Sequence, residues 1–146
     1  MSISGITKGI AASIGVLLWS AAFVLAGNKP QDDLKNEAGK TVFETNCLDC
    51  HQADGSGVPM LAPPLIKTSY VMGDKFRLIG IVLNGFDEEV EIEGEYYSNP
   101  MPAFPQLSDK EVADVLTYVR TSFGNSASDV TEIEVKTERA KAESNK

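Results

Sequence analysis

Cys47-Leu48-Asp49-Cys50-His51 sets two thiols three residues apart, with an imidazole directly after the second. This is the C-x-x-C-H pattern of covalent haem attachment. The two thiols can add across the vinyl groups of a haem and hold it by thioether bonds. His51, carried under the ring by the same short segment, can offer a ring nitrogen to the iron. Two other chemistries use cysteines in this way. Zinc wants four ligands, and the chain has 2 Cys and 1 His, all inside the motif, so carboxylates from elsewhere would have to complete the set. A thioredoxin-like redox pair belongs in a βαβ context, and no alternation of strand and helix patterns surrounds these residues.

An iron bound on one face by His51 has a second face, and three methionines compete for it. Met101 lies in Asn99-Pro100-Met101-Pro102-Ala103-Phe104-Pro105, where three prolines in six residues fix an extended, non-helical path. A thioether held in so stiff a loop is presented outward and does not simply fill a gap. Met60 lies nine residues past His51, on a loop with another task. Met72 falls in an apolar helical stretch, where methionine is usually core.

These groups need elements to position them. Residues 31–50 read as a helix that delivers the motif, with Asp32 or Asp33 able to cap it. Leu34, Ala38, Val42 and Phe43 form its apolar stripe. Gly39 lies on that stripe and costs about 1 kcal/mol against Ala in a helix. Either another helix passes close to it or the glycine is indifferent. Residues 52–64 are loop, broken by Gly55, Gly57, Pro59, Pro63 and Pro64. A metal-bound imidazole must place its other N–H on a carbonyl or carboxylate, and this loop is the nearest source. Residues 68–83 suggest two short helices meeting at Gly73, with Arg77 or Tyr70 as candidates for a haem propionate. Ser108 and Glu111 form a capping box ahead of a strong helix carrying Val112, Val115, Leu116, Val119 and Phe123, which Gly124 stops. Residues 126–146 are a charged tail or a short helix, with Thr131 and Glu134 as a weaker capping box.

Attachment motif, proline-bracketed methionine and capped helix follow one another in an order that resembles the class I c-type cytochromes, the monohaem cytochrome c family. The resemblance covers about Glu37 to Asn125, and implies a domain over 37–125 after a linker at 27–36. The implied fold is all-α, three to five helices around one covalently attached haem c. By the same resemblance the Pro63 carbonyl accepts from His51, Leu65 packs on the ring and Met101 is the sixth ligand, so that His51 and Met101 are the metal ligands. Gly39 and Phe43 would stand where the first and last helices cross, with Tyr118 meeting Phe43 there. The implied function is electron transfer without catalytic residues. Single electrons would pass between a periplasmic or membrane-bound dehydrogenase or reductase complex and a terminal acceptor such as an oxidase. The alternative is a haem enzyme or ligand-binding haem protein, peroxidase-like, whose sixth ligand is labile.

Residues 1–26 are a signal peptide or an N-terminal membrane anchor. Only Lys8 is charged, residues 9–26 are mostly apolar, and Val24-Leu25-Ala26 offers small residues for a signal peptidase. The run is also just long enough to span a bilayer, so membrane association through residues 9–26 stays open. Either reading puts the remainder outside the cytoplasm, in the periplasm and free or held at the inner membrane. The net charge is −8, and without the first 26 residues 12 bases face 21 acids, a balance of −9. Such a domain suits redox partner proteins with a basic docking face and is a poor candidate for nucleic acid. Six of the acids, Asp87, Glu88, Glu89, Glu91, Glu93 and Glu95, crowd into nine residues just before the Met101 loop. Val90 and Ile92 alternate with them, which suggests a hairpin.

Overall fold

Gly39 settles how the main helices meet. It stands on α1, Gln31–Asn46, and a Cβ placed on it would lie 2.1 Å from the carbonyl oxygen of Asp114 and 2.7 Å from Cβ of Tyr118. The second helix at this crossing is α5, Asp109–Thr121. The two backbones are therefore in contact, which only glycine permits. One turn further along α1, Phe43 is 1% exposed and its ring lies 5.6 Å from Tyr118 and 5.4 Å from Phe123. The expected stripe holds on this side, but Leu34 is half exposed, well before the crossing.

In the computed structural model, which describes Met1 and residues 31–144, the fold is all-α apart from one small hairpin. The signal or anchor segment at 1–26 lies outside the described residues. Between α1 and α5 come α2, Leu48–His51; α3, Ser69–Met72; α4, Lys75–Asn84; and the strands β1, Val90–Ile92, and β2, Glu95–Tyr97. α6, Glu132–Ser144, follows α5. Among the described residues five helices, α1–α5, fall in the expected range of three to five for the domain, and α6 is the short helix that residues 126–146 left open. The single helix expected over 31–50 is divided at Cys47, after which α2 makes its own turn. Asp32 and Asp33 lie inside α1 and not ahead of it, and residues 31–36, read as linker, are helical.

Other boundaries follow the local chemistry. Asp74 caps α4 by accepting from the Phe76 N–H, and Gly73 separates α3 from α4. The Ser108–Glu111 capping box is present, and α5 ends at Thr121, short of Gly124, because Ser122 is already extended at ψ −178°. In the hairpin, Val90 pairs with Tyr97 and Ile92 with Glu95. Glu93 and Gly94 both have positive φ, the two-residue turn that matches strand twist. Ile92 and Tyr97 are buried while all six acids of the run face solvent.

α6 packs on α4 and α5, and Val135 is fully buried beneath it. The connection to α5 is held by polar side chains. The Thr117 hydroxyl both donates to the Val130 carbonyl and accepts from its N–H, at 3.1 and 3.0 Å. Arg120 is buried and donates to the carbonyls of Val71, Gly73 and Ser128. Its charge is satisfied by main-chain oxygens of two segments, the end of α3 and the connection before α6.

Candidate functional site

The attachment motif, the Pro63 loop, α4, the hairpin, the Met101 loop and the inner face of α5 enclose one cleft. Its empty volume is about 1290 Å³, the open mouth included. The walls are almost wholly apolar, with Val82, Ile92, Tyr97, Phe104 and Leu116 among them. Among the described residues Glu88, at the rim, is the sole carboxylate lining the cleft, and no lysine or arginine lines it.

His51 ends α2 and is 9% exposed, with Nδ1 3.0 Å from the carbonyl oxygen of Pro63. A carbonyl only accepts, so Nδ1 carries the proton and donates. This leaves the lone pair of Nε2 free to bind a metal. Burial pushes the His51 pKa down, more than the Pro63 bond raises it. The neutral, ligating form is therefore favoured. The Pro63 loop is itself pinned, since the Gly57 N–H donates to the His51 carbonyl at 3.0 Å and Leu65 N–H to Gly55 at 2.8 Å. Leu65 lines the cleft beside Pro63.

Cys47 is half-buried and Cys50 exposed, and both border the cleft without a disulfide between them. Burial, with Cys50 adding to it, pushes the Cys47 thiol up to about 11, so at neutral pH it is protonated and not a thiolate. That state does not suit a redox-exchange cysteine. Among the described residues no group of three His, Cys, Asp or Glu could hold a metal ion, so the carboxylates zinc would need are not in place. The only sheet among the described residues is a two-stranded hairpin, which removes the thioredoxin-like context.

The methionines separate by position. Met101 is half-buried and lines the cleft. Met60 is 74% exposed, and neither it nor Met72 lines the cleft. Met101 is fixed by an antiparallel bridge to Phe86, with N–H to O distances of 2.8 and 3.0 Å in the two directions. Three residues on, the Phe104 N–H donates to Val82 at 2.9 Å. Gly85 makes this close approach possible: at φ +79°, a Cβ there would lie 2.8 Å from the Met101 carbonyl.

Thiols at the rim, a ring nitrogen from one wall, a thioether on the Met101 loop and an apolar interior fit a haem. The propionate candidates divide, since Tyr70 lines the cleft while Arg77 does not and instead stacks 3.8 Å over the Tyr70 ring. Sequence reasoning missed Asn125. Its amide bridges the Leu65 and Val119 carbonyls at 2.9 and 2.7 Å, and its oxygen accepts from the Lys67 N–H at 2.6 Å. It ties the loop beside the imidazole to the end of α5, and an asparagine just past a helix end carries no signal of that role.

Comparison with known proteins agrees with this geometry. The family model described as Cytochrome c matches residues 36–123. A cytochrome c-552 from Thermus thermophilus is 33% identical over 108 residues, covering 71% of this chain and 70% of the relative. The gluconate 2-dehydrogenase cytochrome c subunit of Pantoea cypripedii is 36% identical over 95 residues, 63% of this chain and 21% of the longer protein. A cbb3-type cytochrome c oxidase subunit of Azospirillum brasilense is 32% identical over 112 residues, 71% of this chain and 34% of the longer protein.

Proposed function

The chain belongs to the cytochrome c family, as a class I monohaem electron-transfer cytochrome with covalently bound haem c, and from that premise we propose that it carries single electrons between a periplasmic or membrane-bound dehydrogenase or reductase and a terminal acceptor such as an oxidase. When bound, the haem supplies one-electron chemistry at its iron. Cys47 and Cys50 would hold it, Pro63 orients the His51 ring, and His51 and Met101 would ligate its iron. The observation that carries the reading is the pairing of His51, its second nitrogen already committed to Pro63, with Met101 on one apolar cleft. Two protein ligands leave no position for a substrate, which favours transfer over catalysis, and a methionine ligand raises the potential.

Denaturing electrophoresis with haem staining is expected to leave a coloured band at the size of this chain. Loss of the colour in acid acetone, or stoichiometric zinc in the purified protein, would overturn the reading. The native ferric protein is also expected to show the thioether–iron band near the red edge of the visible and to bind cyanide slowly. Fast binding would point to the peroxidase-like alternative. Residues 1–26 support export and a periplasmic site. Among the described residues no helix is long and apolar enough to cross a membrane.

The partner reading rests on charge. The six acids of residues 87–95 are exposed on the hairpin and its approach, and Glu88 stands at the rim of the cleft. Acids there would steer a basic partner toward the region where transfer is fast. The Debye length falls from roughly 30 Å at 0.01 M salt to about 10 Å at 0.1 M. The association rate is therefore expected to fall with ionic strength, within the roughly 10–10³-fold that steering supplies. Changing Glu88, Glu89, Glu91 and Glu93 to glutamine is expected to flatten that dependence with the midpoint potential nearly unchanged. Identical salt profiles for variant and parent would reduce the acids to a solvated surface.

A further inference from the structure

Arg139 lies on α6, outside the residues that the family model matches. Its guanidinium does not face solvent alone. Nε donates to Asp109 Oδ1 at 2.7 Å, Nη2 to the Leu107 carbonyl at 2.7 Å and Nη1 to the Pro105 carbonyl at 3.3 Å. Pro105 and Leu107 are four and six residues beyond Met101, on the strand of chain that runs from the Met101 loop into α5. That segment is poor in main-chain bonds because Pro100, Pro102 and Pro105 have no N–H to give. Its tethers are the Phe86 bridge at Met101, Phe104 to Val82, and Leu107 to Phe104 at 3.2 Å. Arg139 adds the anchor at the far end, and a planar fork that spans two carbonyls and a carboxylate fixes position as well as charge.

α6 has anchors other than Arg139. Val135 is buried, Lys75 pairs with Glu134 at 2.6 Å, and the Thr131 N–H donates to Glu134 at 2.9 Å. The arginine is therefore available for a task other than docking its own helix. We infer that Arg139 is a positioning residue for Met101, restraining the C-terminal half of the ligand loop so that the thioether stays on the cleft. The inference rests on the reading of Met101 as the sixth ligand.

The test uses the ferric holoprotein and three variants, Arg139→Gln, Arg139→Lys and Lys75→Met. Exogenous cyanide reports how often Met101 leaves, and amide hydrogen exchange at Phe104 and Leu107 reports loop opening without reference to the cofactor. In Arg139→Gln the cyanide-binding rate and the exchange of both amides are expected to rise about tenfold, as for loss of a hydrogen bond to a charged group. Arg139→Lys, which keeps the charge and loses the fork, is expected to fall between. Lys75→Met loosens α6 from its opposite side and is expected to leave both readouts near the parent. Equal rises in Lys75→Met and Arg139→Gln would show that α6 acts only through general stability and would overturn the inference. So would parent-like values in Arg139→Gln. If Arg139→Gln does not accumulate as holoprotein, Arg139→Lys decides alone, a rise in both readouts supporting the role and no rise refuting it. A parent without the thioether band would instead refute the ligand reading, so the two failures are distinct.

Discussion

Met101→Ala is expected to abolish the thioether–iron band and to lower the midpoint potential by on the order of a tenth of a volt or more. Axial ligands set haem potentials over roughly 0.8 V, and methionine lies on the side that raises them. Met101 is half-buried on the cleft, and the doubly bonded Phe86 bridge holds its main chain. That bridge uses backbone groups only, so it survives the substitution. The loop should therefore keep its path while losing its ligand, leaving one axial position for cyanide or carbon monoxide to fill quickly. Met60 is 74% exposed, and Met60→Ala is expected to change stability by no more than about 0.5 kcal/mol, with band and potential retained. Met72→Ala is expected to retain both as well. Spectroelectrochemical titration of the three variants checks the assignment. The same loss in Met60→Ala or Met72→Ala, with Met101→Ala unaffected, would move the ligand to another residue.

What the sequence disclosed was local or rigid. Cys47, Cys50 and His51 are contiguous because one cofactor must be held by one short segment, so their chemistry survives as a pattern. The extended path of the Met101 loop was legible for a related reason, since prolines on both sides leave it few alternatives. The hairpin showed through the alternation of Val90 and Ile92 with glutamates, followed by Gly94. Gly39 stayed ambiguous on its own spacing, because the spacing cannot say what passes over a glycine. The roles of Asn125, Arg120 and Arg139 were hidden for a different reason. Each donates to main-chain carbonyls far away in sequence, and a carbonyl belongs to every residue. No pattern of side chains records such a bond. The division at Cys47 escaped, and residues 132–144 stayed open between tail and helix, since packing on α4 and α5 supplies much of the stability that a polar segment lacks alone.

Gly39→Ala and Gly80→Ala are the same chemical change in two helix interiors, and they are expected to move stability in opposite directions. At Gly80 no atom beyond the adjacent residues and the helix's own backbone lies within 4 Å of the added methyl, so the variant keeps every contact and loses only glycine's freedom in the unfolded chain. A gain of up to about 1 kcal/mol is expected. At Gly39 the same methyl would lie 2.1 Å from the Asp114 carbonyl oxygen. That neighbour is main chain inside α5 and cannot rotate aside, so α1 and α5 must separate. Separation would open the stack of Phe43, Tyr118 and Phe123, whose rings are now 5.4–5.6 Å apart. Overpacking alone costs about 1–3 kcal/mol, and lost aromatic contact adds about 0.5–1.5 kcal/mol for each pair. Against a total stability of about 5–15 kcal/mol, Gly39→Ala is expected to lower the melting temperature by about 10 °C or more. Thermal unfolding of the two ferric holoproteins by circular dichroism measures both. A Gly39→Ala protein as stable as the parent would mean that the helices cross with room to spare, and the backbone contact at Asp114 would have to be abandoned.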